Sequence, residues 1–146
     1  MWDSVVPGRI LRGECFDFTF FKSTNQLFYD NRLLLLDQMK ICPDEMDYHN
    51  VALLDKFDIF INGFLVGENI PKELAGDIND YLANCKGVNG GESSDINGAA
   101  SLVDNNLMVI KILFEKSINL RDIQWEVWNI IRKHMLNKPA FHIRKY

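Results

Sequence analysis

Apolar residues recur along this chain at two spacings, which divide it into candidate strands and helices. Over residues 15–21, Phe16, Phe18 and Phe20 fall on one side and Asp17 and Thr19 on the other, the period of two of a half-buried strand. Residues 57–61 and 64–68 are two further strand-like runs, separated by Asn62-Gly63. That pair favours a type I′ turn, whose two central residues need positive φ, so a two-residue hairpin is predicted here. In its register Ile61 lies opposite Phe64, Phe60 opposite Leu65 and Ile59 opposite Val66. Phe57, Ile59, Ile61, Phe64 and Val66 then line the core face, while Phe60 and Leu65 share the reverse face with Asp58. Residues 107–115 form the strongest strand, with Met108, Ile110, Ile112 and Phe114 on one face and Leu107, Val109, Lys111 and Leu113 on the other. A strand apolar on nearly both faces belongs at the centre of a sheet. Residues 101–103 are placed to pair with it across Asp104-Asn105-Asn106.

Helical spacing replaces alternation over residues 71–86. Pro71 opens this segment and Gly87 follows it, the usual asymmetry of helix ends. Leu74, Ile78, Tyr81, Leu82 and Cys85 form the apolar stripe, with Glu73, Asp77, Asp80 and Asn84 opposite. A second helix runs from Ser117 or Asn119 to about Leu136, before Pro139. Leu120, Ile123, Val127, Ile130, Ile131 and His134 share its buried arc and Trp125 lies off it. Residues 23–41 admit two readings. Ser23-Thr24-Asn25-Gln26 has the form of a capping box, and four leucines at 33–36 favour a helix over at least 33–41. Read as sheet, 26–29 and 33–36 flank a turn at Asp30-Asn31. Residues 5–8 look like an extended entry ending in a Pro7-Gly8 turn. Residues 87–100 contain four glycines and little to bury, so a flexible loop is expected. The mixed order of elements predicts an α+β fold: one domain over 1–146, a mostly antiparallel sheet and two or three packed helices.

Composition places the chain among ordinary folded domains. Its 146 residues, 47% apolar and 25% charged, suffice for a core without staples. Cys15, Cys42 and Cys85 are too few and scattered for a disulfide framework or a metal box, and with no secretory leader they point to a reducing cytoplasm. No apolar run exceeds four residues, far short of a membrane span. Net charge is −4, unevenly spread: residues 44–80 carry nine acids against Lys56 and Lys72, whereas 129–146 carry five bases and no acid. Such polarity bears on partners rather than on fold.

The candidate chemistry is sparse. His49, His134 and His142 stand at no metal-ligand spacing, and no phosphate-binding or nucleophile-elbow motif occurs, so neither metal nor cofactor is expected. A thiol nucleophile at Cys42 or Cys85 served by His49 is the enzymatic alternative; His134, on an apolar helical face, reads as a core histidine. Asp104-Asn105-Asn106 and the acidic run at 44–47 lack the glycine and terminal glutamate of a calcium loop. The basic tail, with Phe141 and Tyr146 among its bases, is the one argument for nucleic acid, and the negative charge of the remainder opposes it. The acidic middle is either a solubilising surface or a surface shaped for a basic partner. Trp125 is either covered by the tail or an aromatic anchor.

A small, acidic, single domain without catalytic groups, bearing the stripe Glu73, Asp77 and Asp80, resembles the bacterial toxin-immunity proteins, notably those of contact-dependent growth inhibition. The resemblance implies a non-enzymatic cytoplasmic protein that covers the basic active site of one cognate toxin domain, a nuclease for example, with association speeded by charge. Asp58, Glu68, Glu73, Asp77, Asp80 and Trp125 are the partner-binding residues expected on this reading, with no membrane or direct nucleic-acid contact. An acidic decoy of nucleic acid is a further alternative, which would need carboxylates spaced like phosphates over a long surface.

Overall fold

A computed structural model describes residues 1–5, 16–48, 50, 54–85, 96–115 and 120–139. Its elements are β1 (Trp2–Val5), β2 (Phe21–Tyr29), β3 (Arg32–Ile41), β4 (Ile59–Val66), α1 (Lys72–Cys85), β5 (Ile96–Asp104), β6 (Leu107–Phe114) and α2 (Leu120–Leu136), with one 3-10 turn at Pro43–Glu45. The four-stranded sheet has the order β1-β4-β6-β5, and β2 with β3 forms a separate two-stranded sheet. Every pairing is antiparallel. The expected α+β fold, with a mostly antiparallel sheet and two α-helices, is the one observed.

Side-chain alternation on β4 and β6 sets the layers. Ile59 and Ile61 of β4 and Met108, Ile110, Ile112 and Phe114 of β6 join a core completed by Leu74, Ile78 and Leu82 of α1 and by Ile123, Val127 and Ile131 of α2. The opposite face turns Phe60 and Leu113 toward a smaller cluster holding Val5, Ile41, Phe21 and Met39. The four-stranded sheet therefore lies between two helices and the β2–β3 hairpin. β6 is central, as its apolar faces require, pairing with β4 on one side and β5 on the other. Of the two helical stripes read from spacing, Leu74, Ile78, Leu82, Ile123, Val127 and Ile131 are buried, whereas Tyr81, Cys85, Leu120, Ile130 and His134 are half-buried.

The predicted hairpin at Asn62-Gly63 does not form; β4 runs straight through it. Asn62 pairs with Asp3 of β1 and Lys111 of β6, and its residue is 5% exposed. Gly63 lies beneath the Trp2 indole, where an added Cβ would come within 2.7 Å of Trp2 Cε3. The glycine makes room for an aromatic ring laid across the strand. Folding 57–68 back on itself would forfeit one of the two ladders that β4 makes. The tight turn belongs instead to Asp30 and Asn31, with φ of 48° and 59°, as the sheet reading of residues 23–41 required.

The helix favoured over 33–41 is thus replaced by β3. Leu27 pairs with Leu35 but Phe28 with Leu33, so Leu34 is an extra residue in a bulge. The four leucines are shared between the two faces of a strand rather than wound round a helix: Leu34 and Leu35 are half-buried and Leu33 and Leu36 exposed. The strand predicted over 15–21 is also corrected. Residues 16–20 form bends, Phe16 has φ 56°, and only Phe21 enters β2. Phe16 stacks on Tyr48 with ring centroids 5.3 Å apart and is half-buried there without strand pairing, while Phe20 is exposed. Residues 96–100, expected in a flexible loop, are strand β5. The readings of Cys15, Pro7-Gly8, His49, residues 86–95, the start of the second helix and the tail at 140–146 fall outside the described residues.

Gly63→Ala is expected to destabilise the chain by about 1–3 kcal/mol through overpacking against Trp2. Combined with Trp2→Ala, the loss should be less than the sum of the two single losses in urea denaturation. Additive losses would show that the close approach carries no strain.

Candidate functional site

The six residues expected to bind a partner are dispersed by the straight course of β4. A hairpin would have set Asp58 and Glu68 almost opposite each other. In the extended strand they flank its two ends, more than about 20 Å apart at 3.3 Å per residue. Asp58 is half-buried, and its backbone N–H donates to the Phe114 carbonyl at 3.1 Å. Glu68 is exposed and accepts a hydrogen bond from Tyr29 Oη at 3.0 Å, which ties the hairpin tip to the end of β4. Glu73, Asp77 and Asp80 are all exposed on the outer side of α1, as their spacing predicted. Asp77 Oδ2 lies 2.8 Å from His134 Nε2 of α2, so that carboxylate links the two helices. His134 is accordingly a half-buried helix-bridging residue rather than a core histidine. Trp125 is half-buried on α2 with its indole nitrogen enclosed.

A second polar group lies between the sheet and the hairpin. Asn25 Nδ2 donates to Asp3 Oδ2 at 3.3 Å and to Asp37 Oδ2 at 3.5 Å, and Lys111 Nζ stands 3.8 Å from Asp37 Oδ1. Beside it opens a cleft of about 370 Å³ whose lining includes Asp37, Lys40, Tyr48, Phe60, Asn62 and Lys111. Sequence reasoning missed this cleft because it placed residues 33–41 on a helix. The available signal was Lys111, the one charge within an otherwise apolar strand, and Asp37 at an inward position of β3. Beyond the cleft, the outward side of the hairpin exposes Phe28, Leu33 and Leu36.

His49, the base of the thiol alternative, lies outside the described residues, and both described cysteines sit in polar contacts. Cys42 is buried, and its backbone N–H donates to Tyr48 Oη at 2.7 Å. Cys85 is half-buried one helical turn from Tyr81. Burial first, then the hydrogen bond with Cys85, then the negative charge of Cys85, Glu126 and Asp122 push the Tyr81 hydroxyl well above its ordinary value of 10.0. Among the described residues no group of three or more His, Cys, Asp or Glu side chains could hold a metal ion, and no helix is long and apolar enough to cross a membrane.

Comparison with known proteins points to a family that charge and size did not indicate. The family model described as UreD urease accessory protein matches residues 1–145. Among curated proteins, the urease accessory protein UreD of Bacillus cereus is 22% identical over 144 residues, covering 99% of this chain and 50% of the relative. That of Sporosarcina pasteurii is 22% identical over 130 residues, covering 88% and 48%. The urease accessory protein UreH of Helicobacter pylori is 28% identical over 113 residues, covering 77% and 38%. The chain spans about half the length of the curated relatives it matches most fully. These matches overturn the resemblance to toxin-immunity proteins of contact-dependent growth inhibition, and with it the cognate toxin domain as partner. That resemblance rested on size and charge, which unrelated small acidic domains share. The family is described by an accessory role rather than by a reaction.

The raised Tyr81 hydroxyl gives a pH dependence. Above pH 10 the unfolded chain releases this proton while the folded chain keeps it, so the native state binds more protons and stability falls as pH rises; the contribution is complete below pH 10. Tyr81→Phe is expected to make the loss of stability between about pH 10 and 11 shallower in urea titrations. An identical slope in both proteins would contradict this reading.

Proposed function

The chain belongs to the UreD urease accessory protein family, and from that membership we propose that it serves urease maturation as a non-enzymatic cytoplasmic protein. In this role it binds urease or the other accessory proteins that assemble the enzyme's nickel centre. The family match over residues 1–145 carries the reading, and the names of the curated relatives support it.

The contact surface we assign is the outer side of α1. Glu73, Asp77 and Asp80 share one helical face there, on a helix whose buried side is fixed in the core. A rigid helix presents charge without an ordering cost on binding. Asp58, Glu68 and Trp125 stand apart from that face and are assigned to it only if the partner is large enough to reach them.

Expression of this chain in a ureolytic bacterium deleted for its UreD- or UreH-type gene is expected to restore urease activity at least in part. The tagged chain should co-purify with urease or with another accessory protein. Failure of both contradicts the proposal. Reversing Glu73 and Asp80 together to lysine should weaken the complex by roughly tenfold with no change in melting temperature. Unchanged affinity removes the α1 stripe as the contact while leaving the family role in place.

A further inference from the structure

The four-stranded sheet ends at β5, and among the described residues no strand pairs with its outer side. Residues 96–103 of this edge contain no charge and no proline, two of the devices that normally stop an edge from recruiting another strand. Hydrogen-bonding direction alternates along an antiparallel strand. Ala100 pairs across from Ile110, yet its N–H donates to Asn79 Oδ1 at 2.7 Å and its carbonyl accepts from Asn79 Nδ2 at 3.0 Å. Its backbone groups therefore face away from β6. By the same alternation those of Gly98 and Leu102 face outward too, and Ala100 is the middle of the three.

The carboxamide of Asn79 offers one acceptor and one donor, the same pair a neighbouring strand would present. We propose that Asn79 is a strand surrogate that keeps the β5 edge from pairing with the same edge of a second copy of the chain. A two-fold dimer of edges requires each strand to pair through its outward groups, and Asn79 occupies the central set. It holds that set intramolecularly, because Leu74, Ile78 and Leu82 fix α1 on the sheet and keep its side chain at high effective concentration.

The test compares wild type, Asn79→Ala and Asn79→Asp by light scattering over a concentration series, with hydrogen exchange on the wild type. Alanine is a better helix former than asparagine, so α1 is expected to persist. Asn79→Ala should associate with rising concentration to about twice the wild-type mass, as a two-fold edge dimer requires. Asn79→Asp, which keeps the acceptor and adds a charge at the edge, should retain the wild-type mass. The wild-type Ala100 amide should exchange more slowly than those of Gly98 and Leu102. A folded Asn79→Ala with the wild-type mass at every concentration overturns the proposal. So does Asn79→Asp associating as strongly as Asn79→Ala, or a wild-type Ala100 amide exchanging as fast as its outward neighbours. Should Asn79→Ala fail to fold, Asn79→Ser, whose single hydroxyl cannot satisfy both Ala100 groups, is read by the same criteria.

Discussion

Burial of β4 on both faces, with Ile59 and Ile61 against the helices and Phe60 against the hairpin, is the constraint on which the other elements depend. Each large apolar side chain so enclosed contributes about 1.5–3 kcal/mol, and residues 59–64 are all buried. A strand buried on both faces must also satisfy its backbone on both edges, which β1 and β6 do. The anchoring extends beyond the ladder: the Met1 amine donates to the Phe64 carbonyl at 2.8 Å and the Phe64 N–H to the Met1 carbonyl at 2.9 Å. At the other end, Gly67 and Ile70 are bonded to Asn106 and Asn105 in the β5–β6 turn, which sets where α1 begins.

The amphipathic segments were legible from sequence, whereas the two glycine- and leucine-marked stretches were not, for separate reasons. In α1, α2 and β6 local spacing and tertiary burial agree, so apolar periodicity alone finds their inner faces. At Asn62-Gly63 local turn preference competes with two ladders and the Trp2 ring, and the tertiary terms win. The leucines of β3 favour a helix in isolation. They are overridden because the hairpin needs a strand there, and the bulge at Leu34 restores the alternation. The I′ turn was visible in Asp30-Asn31, but its signal is weaker than that of Asn-Gly because neither residue is glycine.

The candidate site was less legible than the fold. A stripe on one helix, Glu73 with Asp77 and Asp80, follows from spacing within a single element. Grouping it with Asp58 and Glu68 required the path of the chain, and the straight β4 separates those two. The polar cleft at Asp37, Asn62 and Lys111 joins residues from three elements and has no local signature. Family membership was equally hidden: it rests on a match over residues 1–145 with relatives of low identity, which composition and charge do not reveal, so the charge pattern pointed to a different class of binding protein.

Hydrogen exchange at Asn62, Gly63 and Phe64 tests the continuous β4 most directly. If β4 runs unbroken between β1 and β6, these three amides exchange only through global unfolding, with the same free energy as the amides of Ile110 and Ile112 in β6. Exchange at Asn62 and Gly63 orders of magnitude faster than at those β6 positions would restore the turn and contradict the three-layered arrangement built on this strand.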